Sequence, residues 1–452
     1  MTKYDCIVIG GGAAGIFAAI TLKRTRPRLN IAVIEKSRPL HKLTLTGKGR
    51  CNLTTAKDPV GGLVRNRKFM MSAFAAFTCA DTVDFFASIG VPAVTERGSR
   101  VFPESQKATD VAAALLREVK SLGVDIIAKS ATALLTADTD GGVRISGVAC
   151  GSTVLPCTAV ILACGGASYP ATGSDGGGFR LAEAAGHTVT PALPSLVPLV
   201  TRESVDGLAG LTLKNVRLRF DKPVARLIGK DCPGMNTDTG EIIFTDDGIG
   251  GALAISVSAF ITELLHADGG GAGYSGGGVG NGGNGGAGSD STVSGDDNTG
   301  IAVHLDFKPA LTETQLRERI GREITAMPPA SAVSLLLRRL LPAKIVEYFL
   351  IRANIAADTP LARITEAHIR GIVTHLKNFG FTIVGTKPIA EAICTRGGVS
   401  VREINPKTME SKQVRGLYFA GEIIDVDGLT GGYNLQIAWS TAYAAACGIA
   451  GL

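Results

Sequence analysis

No C-x-x-C pair occurs in this chain, although it carries nine cysteines, at positions 6, 51, 79, 150, 157, 164, 232, 394 and 447. That absence argues against a zinc ribbon or a dithiol redox centre, and the odd, unframed count argues against a disulfide scaffold. The thiols are expected to be reduced and to pack as small apolar groups, with no metal site. No apolar run reaches the roughly 18 residues that span a bilayer, so no membrane association is expected. The chain opens on a strand pattern with no basic, apolar and small-residue succession ahead of it, which points to a cytoplasmic protein rather than an exported one. G-x-x-x-x-G-K-[ST] is absent, so a P-loop is not the phosphate-binding device. Aromatic residues make up only 5%, with one Trp, and 46 basic against 40 acidic residues leave a net charge of +6. That balance permits an acidic partner without demanding one. With 452 residues there is length for two or three domains.

What is present begins at residue 4. Cys6 to Ile9 is an apolar run with the length and β-branching of a buried parallel strand. Gly10, Gly12 and Gly15 then give G-x-G-x-x-G, and an apolar helix, Ile16 to Leu22, follows. In such a loop the first glycine permits the turn and the second lets backbone N–H groups approach a pyrophosphate. The third allows close packing, and the helix start, including Ala13 and Ala14, supplies positive potential. A second strand, Asn30 to Ile34, ends at Glu35, whose carboxylate suits a ribose diol, with Lys36 beside it. Strand, glycines, helix, strand and acid in register predict a dinucleotide without saying which one.

The polar stretch Lys42 to Thr54 lies beyond the second strand, where ligands bind in open α/β sheets. It is expected to be a loop that touches cofactor through Gly49, Arg50, Cys51 and Asn52. Residues 68 to 90 read as helices whose Phe69, Phe74, Phe77, Phe85 and Phe86 are spaced for core packing. A helix over Ala108 to Leu122 and a strand over Val124 to Ile127 follow. Asp140-Gly141-Gly142 marks a hairpin inside a meander from Ala131 to Pro156. A separate strand, Ala159 to Ala163, is expected to run into Cys164-Gly165-Gly166, a further cofactor contact. A Rossmann half interrupted by a meander is the pattern of large flavoprotein domains. His187, beside a helix-ending glycine, reads as a cap rather than a catalyst.

From about Pro194 the pattern alternates, as antiparallel strands with one wet face do. Glycine fills 13 of the 20 positions from 269 to 288, and the segment 268–300 is expected to be a disordered insertion. Helices follow, the first with a capping box at Thr312 and Gln315. Residues 311 to 380 hold ten Lys/Arg against six Asp/Glu, which suits a solvated surface better than an RNA-binding face. Near the end, Gly397-Gly398-Val399 is expected to begin a β segment, and Leu417 to Phe419 a strand leading to Gly421 and Glu422. Gly431-Gly432-Tyr433-Asn434 opens an Ala-rich helix. Glu422 is placed to bond the middle of an extended cofactor. The Gly431-Gly432 helix start suits a ring that gains negative charge on reduction, such as a flavin. The two terminal motifs together therefore predict FAD. No second G-x-G-x-x-G marks a separate nicotinamide site, so NAD(P)H is expected only as a transient electron donor.

Six blocks carry a family resemblance: Ile9 to Gly15, Thr46 to Thr54, Arg100 to Pro103, Leu162 to Gly176, Gly240 to Ile249 and Thr395 to Trp439. With the run from Thr408-Met409-Glu410-Ser411-Lys412 through Gly421-Glu422 to Gly431-Gly432-Tyr433-Asn434 the most specific, the chain resembles the bacterial BaiN/RdsA-like, or aminoacetone-oxidase-like, flavoproteins. The resemblance implies an α/β fold: a Rossmann-type FAD-binding domain with a β-meander, built from residues 1–193 and 387–452. An inserted β-plus-helical substrate or cap domain would span 194–386. It further implies NAD(P)H-driven reduction of a conjugated C=C bond, in a small enone-type molecule or in a uracil of ribosomal RNA. A small-amine oxidase and a non-catalytic FAD-binding protein are the remaining readings. Cys51 leads as the proton donor for the reduction, with Tyr433 behind it. The chain departs from the pattern at Gly250-Gly251-Ala252, where Ser-Gly-Pro is expected, and at Lys48, Thr55 and Ala442, which stand for Gly, Asn and Gly.

Overall fold

The strand β1 (Tyr4–Ile9) is apolar from Cys6 onward and almost wholly buried, which suits the middle of a sheet covered on both faces. A computed structural model describes residues 3–220, 239–267 and 300–451. Cys232 and the stretch expected to be disordered, apart from Gly300, lie outside them. The chain forms two compact units, one of residues up to 196 and from 388 onward, the other of residues 197–387 within the described ranges.

In the first unit β1 pairs in parallel with β2 (Ile31–Ile34) on one side and with the Thr153–Leu162 strand on the other. Asp125–Ile127 extends the sheet beyond β2, and Leu417–Phe419 joins Thr153–Leu162, giving five parallel strands. The Rossmann expectation is met, with one correction. The last meander strand and the expected strand at 159–163 are a single element, whose first residues pair antiparallel with Gly142–Cys150 while its later ones pair with β1. One strand thus belongs to both the meander and the parallel core. The Asp140-Gly141 turn joins Ala133–Thr139 to Gly142–Cys150 as expected.

Helix α1 (Ala13–Thr25) packs against the Tyr433–Ala450 helix. Around their junction the aromatic residues of 67–88 form core: Phe17 lies 5.1 Å from Phe77, 4.7 Å from Phe85 and 5.5 Å from Trp439 between ring centroids. Each such contact adds about 0.5–1.5 kcal/mol beyond area burial. Two further corrections apply. Gly397-Gly398-Val399 end a strand, Cys394–Val399, rather than begin one. The segment expected to be loop from Lys42 opens as helix: His41–Gly49 is helical at its start and breaks at Thr46 (ψ 148°), Gly47 and Lys48.

Lys48 holds φ 59°, a left-handed conformation that glycine adopts without cost and other residues do not. The glycine that the resemblance leads one to expect here would have a steric reason, and this chain carries the strain.

The second unit is a closed antiparallel barrel of six strands, in the order Leu199–Thr201, Gly248–Gly250, Gly240–Phe244, Thr212–Phe220, Ile301–Asp306 and Phe379–Thr386. Leu213, Val216, Leu218, Ile242, Phe244, Val303, Leu305 and Phe381 alternate into its buried interior. Helix Gly251–Ala267 starts at the departure from the family pattern, where Ala252 takes the first-turn place that proline would pre-organise. Helix Glu313–Thr325 carries the expected capping box, and Val333–Arg338, Ala343–Arg352 and Glu366–Lys377 follow. Among the described residues no single helix is long and apolar enough to cross a membrane.

Candidate functional site

The end of β1 is tied down before any ligand is considered. Gly10 N–H donates to Ile34 O at 2.8 Å, and Ala163 N–H donates to Ile9 O at 2.8 Å. A Cβ on Gly15 would sit 1.9 Å from Gly10 O, so only glycine lets α1 approach this closely. Gly12, the N-cap of α1, has extended backbone, no side-chain cap and no acidic residue after it in the first turn. A Cβ at Gly12 would meet nothing within 4 Å. The open N–H groups of that turn and its positive potential face free space.

Glu35 stands at the expected place. Its Oε2 accepts from Gly11 N–H at 2.6 Å, and its Oε1 accepts from Ser37 N–H and Ser37 Oγ, both at 2.8 Å. Beside it opens a cavity of about 430 Å³ lined by Gly10, Ile34, Glu35, Lys36, Lys129 to Leu134, Cys164, Gly173, Asp175 and Arg180. Lys36 pairs with Asp175 at 2.6 Å. The volume and the mixed lining suit a nucleoside. Residues 129–134 and Arg180 were not singled out by motif, because they come from the start of the meander and from the Gly177–Ala184 helix, more than 90 residues beyond Glu35.

Glu422 lies at a junction of four chain segments. Its carboxylate accepts from Thr395 N–H at 2.7 Å, Ser168 Oγ at 3.0 Å and Lys42 Nζ at 2.8 Å. Burial pushes this carboxyl up, but the Lys42 ammonium and the three hydrogen bonds outweigh it and hold it below the ordinary value. Thr395 Oγ1 in turn accepts from Ala167 and Ser168 N–H groups. A Cβ on Gly166 would collide with Thr395 and Glu422, so Gly166 serves this junction, while Gly165 and the half-buried Cys164 flank it.

Leu53 and Thr54, just after Arg50-Cys51-Asn52, meet the helix that starts at Gly431–Asn434. Gly432 holds φ 99°, and a Cβ there would lie 2.3 Å from Thr54 O. Trp439 Nε1 donates to Leu53 O at 2.9 Å, and the fully buried Gln436 accepts from Thr54 and Thr82 hydroxyls. Arg50 stacks 3.8 Å from the Phe102 ring centroid and pairs with Glu96 at 2.7 Å. Gly49 is exposed and Tyr433 half-buried, the Tyr433 ring lying over Gly62. Asn434 bonds both polar groups of Gly428, shaping the turn. Cys51 is fully buried at φ 62°, and burial pushes its thiol up to about 12, so it is neutral at ordinary pH. Two polar atoms here, Arg50 Nε and Asn52 Oδ1, are buried without a hydrogen-bond partner. One is a donor and the other an acceptor, which fits the mixed donor–acceptor edge of an isoalloxazine ring.

Sequence reading missed a buried group next to this turn. Asp427 is 1% exposed and accepts from Ser195 Oγ at 2.7 Å. Asp425, also buried, pairs with Arg65 at 3.5 Å and accepts from Thr190 Oγ1 at 3.2 Å. Two acids at i and i+2 in a turn carry no motif, and Ser195 lies over 200 residues away. His187 serves structure: its backbone N–H caps the Gly177–Ala184 helix through Ala182 O, and its ring bonds Glu403 and Ser411.

A family model described as the HI0933-like protein Rossmann domain matches residues 4–448. A 3-dehydro-bile acid delta(4,6)-reductase of Clostridium scindens is 30% identical over 440 residues, covering 97% of each chain. A ribosomal RNA dihydrouridine synthase of Haemophilus influenzae is 30% identical over 455 residues, covering 99% of each. A fumarate reductase flavoprotein subunit of Mycobacterium tuberculosis is 36% identical over 56 residues, 12% of this chain and 10% of that one.

Proposed function

The chain belongs to the HI0933-like Rossmann family, and from that premise we propose that it is an FAD-dependent reductase of a conjugated C=C bond. The observation that carries the reading is the pairing, within one unit, of a nucleoside-sized cavity at Glu35 with the buried, unpartnered Arg50 Nε and Asn52 Oδ1. An extended dinucleotide ending in a polar ring supplies both. The N–H groups at Gly12–Gly15 would take its pyrophosphate, Glu35 its adenosine ribose, the Glu422 junction its middle and the Gly431–Tyr433 turn its ring. FAD, once bound, supplies two-electron hydride chemistry with NAD(P)H as the donor.

The protein's own part is to position the substrate and deliver a proton to the carbon beside the one reduced. Exposure reverses the order of the two candidates: Tyr433, half-buried at the helix start, stands ahead of the fully buried Cys51. Tyr433→Phe is expected to lower enone reduction at least about tenfold, with flavin reduction by NAD(P)H intact, a donor being worth roughly 10²–10⁴ in rate. If Cys51→Ala does this and Tyr433→Phe does not, the thiol is the donor.

A small molecule is favoured over RNA because two of the helix arginines are already paired, Arg317 with Glu366 and Arg339 with Glu323. The equally similar ribosomal RNA enzyme keeps the second reading in view. NAD(P)H oxidation dependent on a steroid-like enone, with RNA modification profiles unchanged on deleting the protein, is the expected result. Loss of a dihydrouridine on deletion would overturn the small-molecule reading. Purified protein without a flavin spectrum, and without FAD uptake, would overturn both.

A further inference from the structure

Asp427 is clamped from two sides. Its carbonyl accepts from Val64 N–H at 3.0 Å, and Leu63 bridges the neighbouring Gly428. Oδ2 takes the Ser195 hydroxyl, while Oδ1 is buried with no hydrogen-bond partner. A buried carboxylate oxygen without a donor costs free energy that holding a proton or a nearby cation relieves. The groups acting on it are Arg396, 5% exposed on the Cys394–Val399 strand, Arg65 from the preceding segment and, in opposition, Asp425. The buried Cys394 thiol also feels its charge. Burial outweighs both arginines and pushes the carboxyl up to about 6.

We propose that Asp427, fixed by Ser195 behind the Gly428–Tyr433 turn, is a positioning residue that takes up a proton as electrons arrive at the turn. It thereby sets the pH dependence of the bound cofactor's potential. The inference rests on the reading that a flavin occupies the turn. Between the pKa of the oxidised protein and the higher pKa of the reduced one, each electron pair supplied by a chemical titrant draws one solvent proton beyond any that the cofactor itself takes up, and that proton ends on Asp427 Oδ1. No bond forms between Asp427 and the substrate. Neutralising a carboxylate near a site that gains negative charge favours reduction.

The test is potentiometric titration of FAD-loaded wild type, Asp427→Asn and Ser195→Ala between pH 5 and 9, with dithionite and mediator dyes. The wild-type and Asp427→Asn curves are expected to coincide near pH 5 and to diverge as the pH rises through 6. At pH 8 the variant should hold about tenfold more reduced cofactor at a given potential, about 30 mV for a two-electron couple. Ser195→Ala keeps the carboxyl but removes a donor to its charged form, so it should move the bend to higher pH; this variant decides the matter if Asp427→Asn fails to fold. Flavin-bound proteins whose curves run parallel, or a wild-type curve without a bend, would overturn the proposal alone. Wild type that binds no FAD in equilibrium dialysis would overturn the flavin reading and the proposal with it.

Discussion

At the Gly10–Glu35 end of the dinucleotide-binding unit, both Glu35 oxygens have protein donors and the cavity beside them is open. At the Gly428–Tyr433 end, Arg50 Nε, Asn52 Oδ1 and Asp427 Oδ1 are buried without partners and the backbone is wedged against Thr54. The first end is pre-formed and loses nothing while it waits. The second holds polar groups in a low-dielectric setting where each interaction is stronger and each missing one costs more. On the proposed function, binding therefore belongs to the end beside the open cavity, and chemistry to the end whose unpartnered polar groups are buried.

The contrast can be broken first at Gly15. Its Cβ would overlap Gly10 O at 1.9 Å, so Gly15→Ala should cost more than about 4 kcal/mol, seen as insoluble protein or a collapsed denaturation midpoint. An effect under about 1 kcal/mol would mean the end is not rigid.

Next is Asp427→Asn, read as stability against pH. A carboxyl raised from 3.8 to about 6 is uncharged at no cost below pH 4, and the cost grows until the pH has passed 6. The span corresponds to roughly 3 kcal/mol. The variant should therefore be more stable than wild type at pH 8, by up to that amount, with the advantage fading between pH 6 and pH 4 and absent below. Urea melts at the two pH values measure it, and a constant offset would deny the buried charge.

Gly12→Ala sharpens the other side. Its φ of −78° suits alanine and nothing lies within 4 Å, so stability should change by less than about 0.5 kcal/mol. FAD affinity should nevertheless fall at least about tenfold, because the added methyl occupies the pyrophosphate's approach. Unchanged affinity in a fluorescence titration would move the phosphate site elsewhere. The smallest effect is expected at Lys48→Gly, which relieves a left-handed lysine at φ 59° and should stabilise by about 1 kcal/mol or less. Calorimetry showing a loss would mean that the Lys48 side chain supplies a contact.

How far the sequence could be read follows the range of the interactions. Gly10, Gly12, Gly15 and Glu35 were legible because turn, helix and strand within 35 residues enforce their spacing. The core places of Phe77, Phe85 and Phe86 followed from their spacing, but their partners Phe17 and Trp439 did not. The helix at His41–Leu45 was hidden because a threonine- and glycine-rich stretch has weak helical propensity, which tertiary packing of Leu43 overrides. The Glu422 junction and the Ser195–Asp427 pair were illegible for a plainer reason: Lys42, Ser168, Thr395 and Glu422 come from four separated stretches, and no local rule links them. Barrel closure likewise depends on strand pairings between residues 199 and 386, which alternation alone does not order.

The Leu417–Phe419 strand has a consequence for the order of events in the cell. It pairs with Val160–Leu162, each partner made 257 positions earlier. At about 5–20 residues per second, ribosomes need on the order of ten to fifty seconds to cover that distance. During that interval the nascent sheet carries an open edge at Val160–Leu162, and α1 lacks the alanine-rich helix that shelters it. The barrel unit, made in between, is complete while its host is not. Growing chains arrested near residue 400 should therefore be cleaved by protease in the first 160 residues and spared in the barrel. Equal resistance in both would show that the sheet closes without its last strand.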